Sequence, residues 1–296
     1  MRRFILALTT LSLILGIISP AAGAVTPAAT ATTPKNKGLY ISPVRSYLSL
    51  NAGESATRAF TVANLTESPM TVTAHIEQFS VADYSYNYQF DEVDNNWVQL
   101  VENVVTLQPY EAHEITYRVT LPPTAAPGGQ YYTLYASSTS QNGAQTSTVQ
   151  AATLLYLTIN GTLTRTSHVV NRSLPRVVFT PQISYSLDVK NTGNIHYFAY
   201  IATRVDGLFY HNAPNGVSQL LMPGTTRTIE NTIASPLLPG IYKLSYSYTP
   251  DQGSKITGLQ YFLFLPPWSI ALLIIVLAIL IHFLSRRYKR KRQKTL

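Results

Sequence analysis

Residues 70–79, Met-Thr-Val-Thr-Ala-His-Ile-Glu-Gln-Phe, repeat with a period of two. Val72, Ala74 and Ile76 fall on one side and Thr71, Thr73, His75 and Glu77 on the other, which is the pattern of a half-buried antiparallel strand. Residues 112–121 use the same device, with Ile115, Tyr117, Val119 and Leu121 opposed to Glu114, Thr116, Arg118 and Thr120. Working outward, strands are also expected over 40–50, 55–64, 130–138 and 149–159. Turn-forming groups separate them: Asn51-Ala-Gly53, residues 66–69, Gln108-Pro109 and Pro127-Gly128-Gly129. Short strands at this spacing, with no amphipathic helix among them, predict an Ig-like β-sandwich over 38–160.

The pattern then starts again. Phe60-Thr-Val-Ala-Asn64 is matched by Leu187-Asp-Val-Lys-Asn191, and Leu107-Gln-Pro109 by Leu221-Met-Pro223. Pro127-Gly128 ahead of Tyr131 is matched by Pro239-Gly240 ahead of Tyr242. The fold class is therefore all-β, with two tandem Ig-like β-sandwiches. Residues 161–176 serve as linker or first strand, and the second sandwich covers 177–266.

Residues 268–284 are apolar except for Ser269 and His282, long enough to span a bilayer, with no polar face. A transmembrane helix is expected over 267–285. Trp268 would sit at headgroup level, and Arg286, Arg287, Lys289, Arg290, Lys291, Arg292 and Lys294 would hold the tail, 286–296, in the cytoplasm. At the other end, Met1-Arg2-Arg3, an apolar run and Ala22-Gly23-Ala24 read as a signal peptide over 1–24, with an uncleaved anchor as the alternative. Residues 25–37 are rich in Pro, Thr and Ala and read as a disordered spacer. Both sandwiches are then extracellular on a single-pass membrane protein.

The net charge of +8, from 22 basic and 14 acidic residues, misleads until its location is counted. Seven basic residues are in the tail and two in the leader, so the exported part is nearly neutral, its first half acidic and its second basic. Nucleic acid is not an expected partner; membrane lipid is. There is no cysteine, hence no disulfide, thiolate ligand or nucleophile. The histidines are dispersed, and no Gly-x-Ser-x-Gly or phosphate-binding loop is present. No enzyme and no cofactor is expected.

The first copy is longer than the second between its Asn turn and its Leu-x-Pro, and the excess falls in or near 80–100. That stretch holds Tyr84, Tyr86, Tyr88, Phe90 and Trp97 among acidic groups. Alternation at 84, 86, 88 and 90 would place four rings on one face of an edge strand, either as a recognition surface for cell-wall glycan or a surface or host protein, or as cover for the sandwich edge. Asp91, Glu92 and Asp94 offer oxygens to a calcium ion but lack the EF-hand order.

Leader, Val62-Ala-Asn-Leu-Thr66, Leu107-Gln-Pro109, Pro127-Gly128-Gly129, Lys190-Asn191-Thr-Gly193, one membrane helix and a basic tail together resemble the WxL-interacting proteins of Gram-positive bacteria, over residues 38–296. The resemblance implies peptidoglycan binding by the first domain and host or partner binding by the second. The chain departs from that pattern at Asn51-Ala-Gly53-Glu54, where the family shows a Pro-Gly turn, and in the 80–100 insert. Three functions compete: first, a surface protein binding glycan or protein through its outer sandwich; second, an envelope assembly factor offering a sheet edge to a client strand; and third, a wall-modifying enzyme, which a carboxylate pair or a His-centred cluster in a cleft would favour. An unpaired, long edge strand in the first sandwich would favour the second.

Overall fold

The computed structural model describes residues 38–142, 145–250 and 255–292. The expected signal peptide, the spacer and Lys294 lie outside these residues, as do the side chains of Lys289, Arg290, Lys291 and Arg292.

The first sandwich is built from β1 (Leu39–Ser42), β2 (Arg45–Leu50), β3 (Ser55–Asn64), β4 (Met70–Val81), β5 (Tyr88–Asp91), β6 (Val98–Leu100), β7 (Val104–Leu107), β8 (Ala112–Thr120), β9 (Gly128–Asn142) and β10 (Gln145–Ile159). One sheet runs β1-β3-β8-β6, and the other β2-β10-β9-β4-β5 with β7 also on β4. Alternate residues of both sheets point inward, with Phe60, Val62, Val72, Ile115, Val119, Leu134, Leu155 and Leu157 almost fully buried between them. The second sandwich contains β11 (Ser167–Ser173), β12 (Val177–Val178), β13 (Gln182–Asn191), β14 (Tyr197–Gly207), β15 (Tyr210–His211), β16 (Asn215–Leu221), β17 (Thr226–Ala234), β18 (Gly240–Tyr248) and β19 (Ile256–Phe264). Its sheets are β11-β13-β17 and β12-β19-β18-β14-β15, with β16 also on β14. Two tandem sandwiches are present, as the sequence predicted.

The repeated Asn turn has a physical cause. Asn64 is wholly buried, and its side-chain amide donates to the carbonyls of Ser68 (2.8 Å), Gln108 (3.1 Å) and Leu107 (3.4 Å) while its Oδ1 accepts from the Thr66 amide (2.9 Å). Asn191, equally buried, donates to Ile195 (3.0 Å) and Leu221 (2.9 Å) and accepts from Gly193 (2.8 Å). One side chain thus satisfies a turn and the start of a Leu-x-Pro corner that would otherwise bury unpaired carbonyls.

Two strand readings need correction. The single strand expected over 40–50 is divided at Pro43 and Val44: β1 pairs antiparallel with β3 in one sheet, and β2 pairs parallel with β10 in the other. The alternation is continuous through the break, so local pattern does not mark it. The strands expected over 130–138 and 149–159 are each longer, forming a hairpin of two 15-residue strands. Its outer part is Ser, Thr and Gln without an apolar face, which hid it from a hydrophobic-period argument.

After β19 only Leu265 and Pro266 precede α1 (Pro267–Arg292). Its first 21 residues are Pro267–Arg287, within which the most apolar 18-residue stretch has a mean hydropathy of 2.6 and no burial against the rest of the protein. At 1.5 Å per residue they cover about 31 Å, the thickness of a bilayer's hydrocarbon core.

Replacing either buried amide should therefore be costly. Asn64→Ala and Asn191→Ala are each expected to lower stability by about 2–3 kcal/mol, because several buried carbonyls lose their donor. Asn171→Ala, on the exposed face of β11, is expected to change it by less than about 0.5 kcal/mol. Denaturant unfolding of the three variants measures the difference.

Candidate functional site

The edge of β10 in the first sandwich is only partly covered. Strand β2 covers only Leu154 to Ile159 of β10, through the pairs Arg45↔Leu154 to Leu50↔Ile159. From Gln145 to Thr153 the strand pairs with β9 alone, and no described strand lies on its other side. The β9–β10 register runs without a shift, so the alternation of backbone groups is continuous. Leu154 donates its amide to the Val44 carbonyl (3.0 Å) and Asn160 to Leu50 (2.8 Å), so even-numbered residues face the β2 side. Thr148, Gln150 and Ala152 consequently turn their N–H and C=O groups to the open edge. Natural edges are guarded by lysine, proline or a bulge, and this one has none. Residues 119–164 contain no Asp, Glu, Lys or Arg at all, which is the sequence signal that would have drawn attention to the hairpin. The second sandwich repeats the arrangement on β19, whose residues 256–262 lack a partner beyond β12, but Lys255 and Gly258 interrupt that edge.

The aromatic insert does something other than the sequence suggested. Four rings on one face of an edge strand are not formed: β5 begins only at Tyr88, and Tyr84 and Tyr86 sit in a loop at φ 64° and 59°. Positive φ is uncommon for non-glycine residues and is held here by contacts to the second sandwich. Tyr84 donates its amide to Thr226 O (2.7 Å) and accepts from Thr228 N (3.2 Å), lying as a short parallel bridge on Arg227. Asp83 Oδ1 accepts from Thr226 N (2.6 Å). The Tyr86 hydroxyl accepts from the Met222 amide, and the Arg227 guanidinium stands 4.3 Å over the Tyr86 ring. Residues 83–86 are thus a clasp between the sandwiches. Trp97 is half-buried against the first core, whereas Tyr88 and Phe90 stay exposed. Asp94 accepts from Gln78 and Asn95, both at 2.8 Å, while Asp91 and Glu92 are exposed. No group of three or more acidic or histidine ligands occurs among the described residues.

Beneath the clasp the outer face of β4, β9 and β10 meets the second sandwich through Phe79, Val81, Tyr131 and Tyr156, packed on Met222 and Leu220. His196 reaches across, its Nδ1 3.1 Å from the Tyr131 hydroxyl and its ring 5.0 Å from that of Tyr156. Burial, helped by the charge of Arg165, pushes the His196 pKa down to about 4. Burial also raises the phenols of Tyr131 and Tyr156. The backbones also meet at the Pro127-Gly128-Gly129 turn: Gly129 N donates to Asn194 O (2.9 Å), and a Cβ on Gly128 would lie 2.8 Å from that oxygen. Arg45, Tyr47, Tyr156 and His196 did not stand out in the sequence, and Tyr131 did so only beside the repeated Pro-Gly turn, since the contacts that matter span the junction.

A cleft of about 300 Å³ remains open beside the clasp, lined by Arg45, Tyr47, Tyr88, Tyr156 and Arg227 among others. None of the described residues that line it is acidic. Among the described residues the buried Tyr156 hydroxyl has no hydrogen-bond partner. Two guanidiniums and a phenol form a donor set for an anionic group, and Arg45 stands where the uncovered part of β10 begins.

No family model matches the chain, and no curated protein sequence does. Among solved structures it is similar to the class 5 fimbriae chaperone CfaA (9% identity, 77% of this chain and 100% of that one, TM-score 0.40). It is also similar to the Pseudomonas aeruginosa CupB2 chaperone (11%, 75% and 99%, TM-score 0.33) and to a chain of the Salmonella enterica SafA pilin–SafB chaperone complex (12%, 76% and 96%, TM-score 0.36). Likenesses this distant leave the function to be read from the geometry.

The junction should respond to acid. His196 is neutral in the fold and binds a proton readily once released, so its contribution is complete above about pH 6.5 and is lost as pH falls toward 4. Paired spin labels on the two sandwiches are expected to show a single separation at pH 7 and a broadened one at pH 4.5. His196→Gln, which cannot protonate, should narrow the difference between the two pH values.

Proposed function

We propose that this chain is a non-enzymatic, membrane-anchored protein that takes an extended segment of a partner protein as an added strand along β10, in the manner of an envelope assembly factor. The observation that carries the reading is the uncovered, uncharged edge from Gln145 to Thr153. An added strand satisfies its own backbone and the free groups of Thr148, Gln150 and Ala152 together, so main-chain pairing supplies affinity with little demand on the partner's side chains. A strand laid there abuts Arg45, whose guanidinium at the mouth of the cleft accepts an anionic group of the same segment. The rigid clasp keeps that cleft at a fixed position relative to the edge.

In this reading α1 spans the membrane, Arg286 to Lys294 stay on the cytoplasmic side, and both sandwiches stand outside. Folded wall-anchored surface proteins and their precursors are the partner class that placement supplies. The resemblance to WxL-interacting proteins belongs to the same proposal, as does glycan capture by its first domain. Glycan capture has one observation in its favour: Tyr88 and Phe90 are both 44% exposed and stack 6.2 Å apart on the outer sheet face.

The two readings separate under site-specific photo-crosslinking. A benzophenone amino acid at Thr148 is expected to give a discrete protein adduct in cells, whereas one at Tyr261 on β19 gives none. Gln150→Pro removes an outward N–H without touching the β9 ladder, and should reduce the adduct by about tenfold or more, the equivalent of one or two lost hydrogen bonds. An adduct from Tyr261 alone, or one unchanged by the proline, would contradict strand capture. Loss of wall retention in Tyr88→Ala plus Phe90→Ala with the Thr148 adduct intact would favour glycan.

A further inference from the structure

The four most exposed large apolar side chains among the described residues outside α1 are Phe209 (86%), Leu237 (84%), Leu208 (83%) and Ile241 (71%). All four lie at one end of the second sandwich. Gly240 pairs with Phe264 and Ile241 with Leu263, so the 236–241 loop is level with the last residues of β19. Asp206 pairs with Lys243, which brings the β14–β15 turn, Leu208-Phe209, to the level of Ile241. Tyr242 links the two: its ring meets that of Tyr210 edge to face at 6.0 Å, its hydroxyl donates to the Leu238 carbonyl (2.8 Å), and both loops line one cavity. Phe179, 49% exposed, follows the Val178↔Phe264 pair and joins the same end. This is also the end from which α1 departs, since Leu265 is still bonded to Val178 (2.9 Å) and the helix begins at Pro267.

We propose that the Leu208-Phe209 and Leu237-Leu238 loops are immersed in the leaflet on which the sandwiches stand, so that the second sandwich docks on the bilayer at three points rather than hanging from α1. The inference rests on the reading of α1 as the membrane anchor. Three observations favour lipid as the occupant of this apolar end. The two-residue connection from β19 to α1 leaves the loops no room to stand clear of a membrane that the helix enters. Neither loop carries a charge, whereas one register step back Asp206 is bonded to Arg204 (2.7 Å) and His211 (3.0 Å) with Lys243 3.8 Å away, a polar cluster at the depth of the headgroups. Large aliphatic and aromatic tips below such a cluster match the composition of segments that sit about 5–10 Å into the headgroup and acyl boundary.

The chain has no cysteine, so single substitutions report alone. Full-length Phe209→Cys, Leu237→Cys, Leu277→Cys and Glu114→Cys, each carrying a nitrobenzoxadiazole label, are reconstituted in phosphatidylcholine–phosphatidylglycerol vesicles with lipids spin-labelled at shallow or deep acyl positions. The labels at 209 and 237 are expected to be quenched by the shallow probe about threefold or more beyond that at 114, as interfacial residues are, and the label at 277 by the deep probe. Quenching at 277 with 209 and 237 behaving like 114 would overturn the docking and leave the anchor standing. A blue-shifted but unquenched label at 209 and 237 would place a second protein copy there and overturn it equally. Absence of quenching at 277 would remove the anchor, and the docking with it.

Discussion

The chain crosses from one sheet to the other at Pro43 and Val44, and that crossing leaves the last strand of the first sandwich half covered. Up to Ser42 the chain is bonded to β3; from Arg45 it is bonded to β10. Among the described residues only the six of β2 cover the outer side of the 15-residue β10, and the rest of that strand stands open. The second sandwich is cut the same way, with β11 on β13 and β12 on β19, so the uncovered last strand follows from the build itself. What sets β10 apart is its length, its lack of charge, glycine or proline along the open stretch, and its position beside a cleft with two guanidiniums.

The junction gives that edge a fixed setting. The clasp is bonded at Asp83 and Tyr84 to Thr226 and Thr228 backbone groups, and at Tyr86 to the Met222 amide beneath the Arg227 guanidinium, which is how two tyrosines are kept at positive φ. Such backbone costs of order 1–3 kcal/mol per residue and persists only when its surroundings over-determine it. Truncating Tyr86 or Trp97 therefore acts on the junction or the first core before it acts on any ligand. The buried imidazole of His196 makes the same junction the acid-sensitive part of the molecule.

How much of this could be read from residues alone depends on range. The alternation of β4 and β8 and the matched Asn64 and Asn191 are local, and they were legible: period gave the strands, and the recurring Asn gave the repeat. The tyrosines at 84 and 86 also alternate, yet the backbone there is set by residues about 140 positions later, so period two pointed to a strand that does not form. The division of β1 from β2 left no trace because both halves alternate. The outer part of the β9–β10 hairpin has no core to face and so no hydrophobic pattern; its one mark is the absence of charge over 119–164. The apolar run of α1 was legible in full, since length and composition alone decide it, although the helix continues beyond it to Arg292.

Strand capture requires that residues 145–153 present bare backbone in the folded protein. Amide-resolved hydrogen exchange on the full-length chain tests this directly. Thr148, Gln150 and Ala152 are expected to exchange orders of magnitude faster than Leu154 and Tyr156 on the same strand, because the latter are covered by β2 and the former by no described strand. Equal protection along the whole of β10 would mean that the edge is already occupied, and strand capture there would be ruled out.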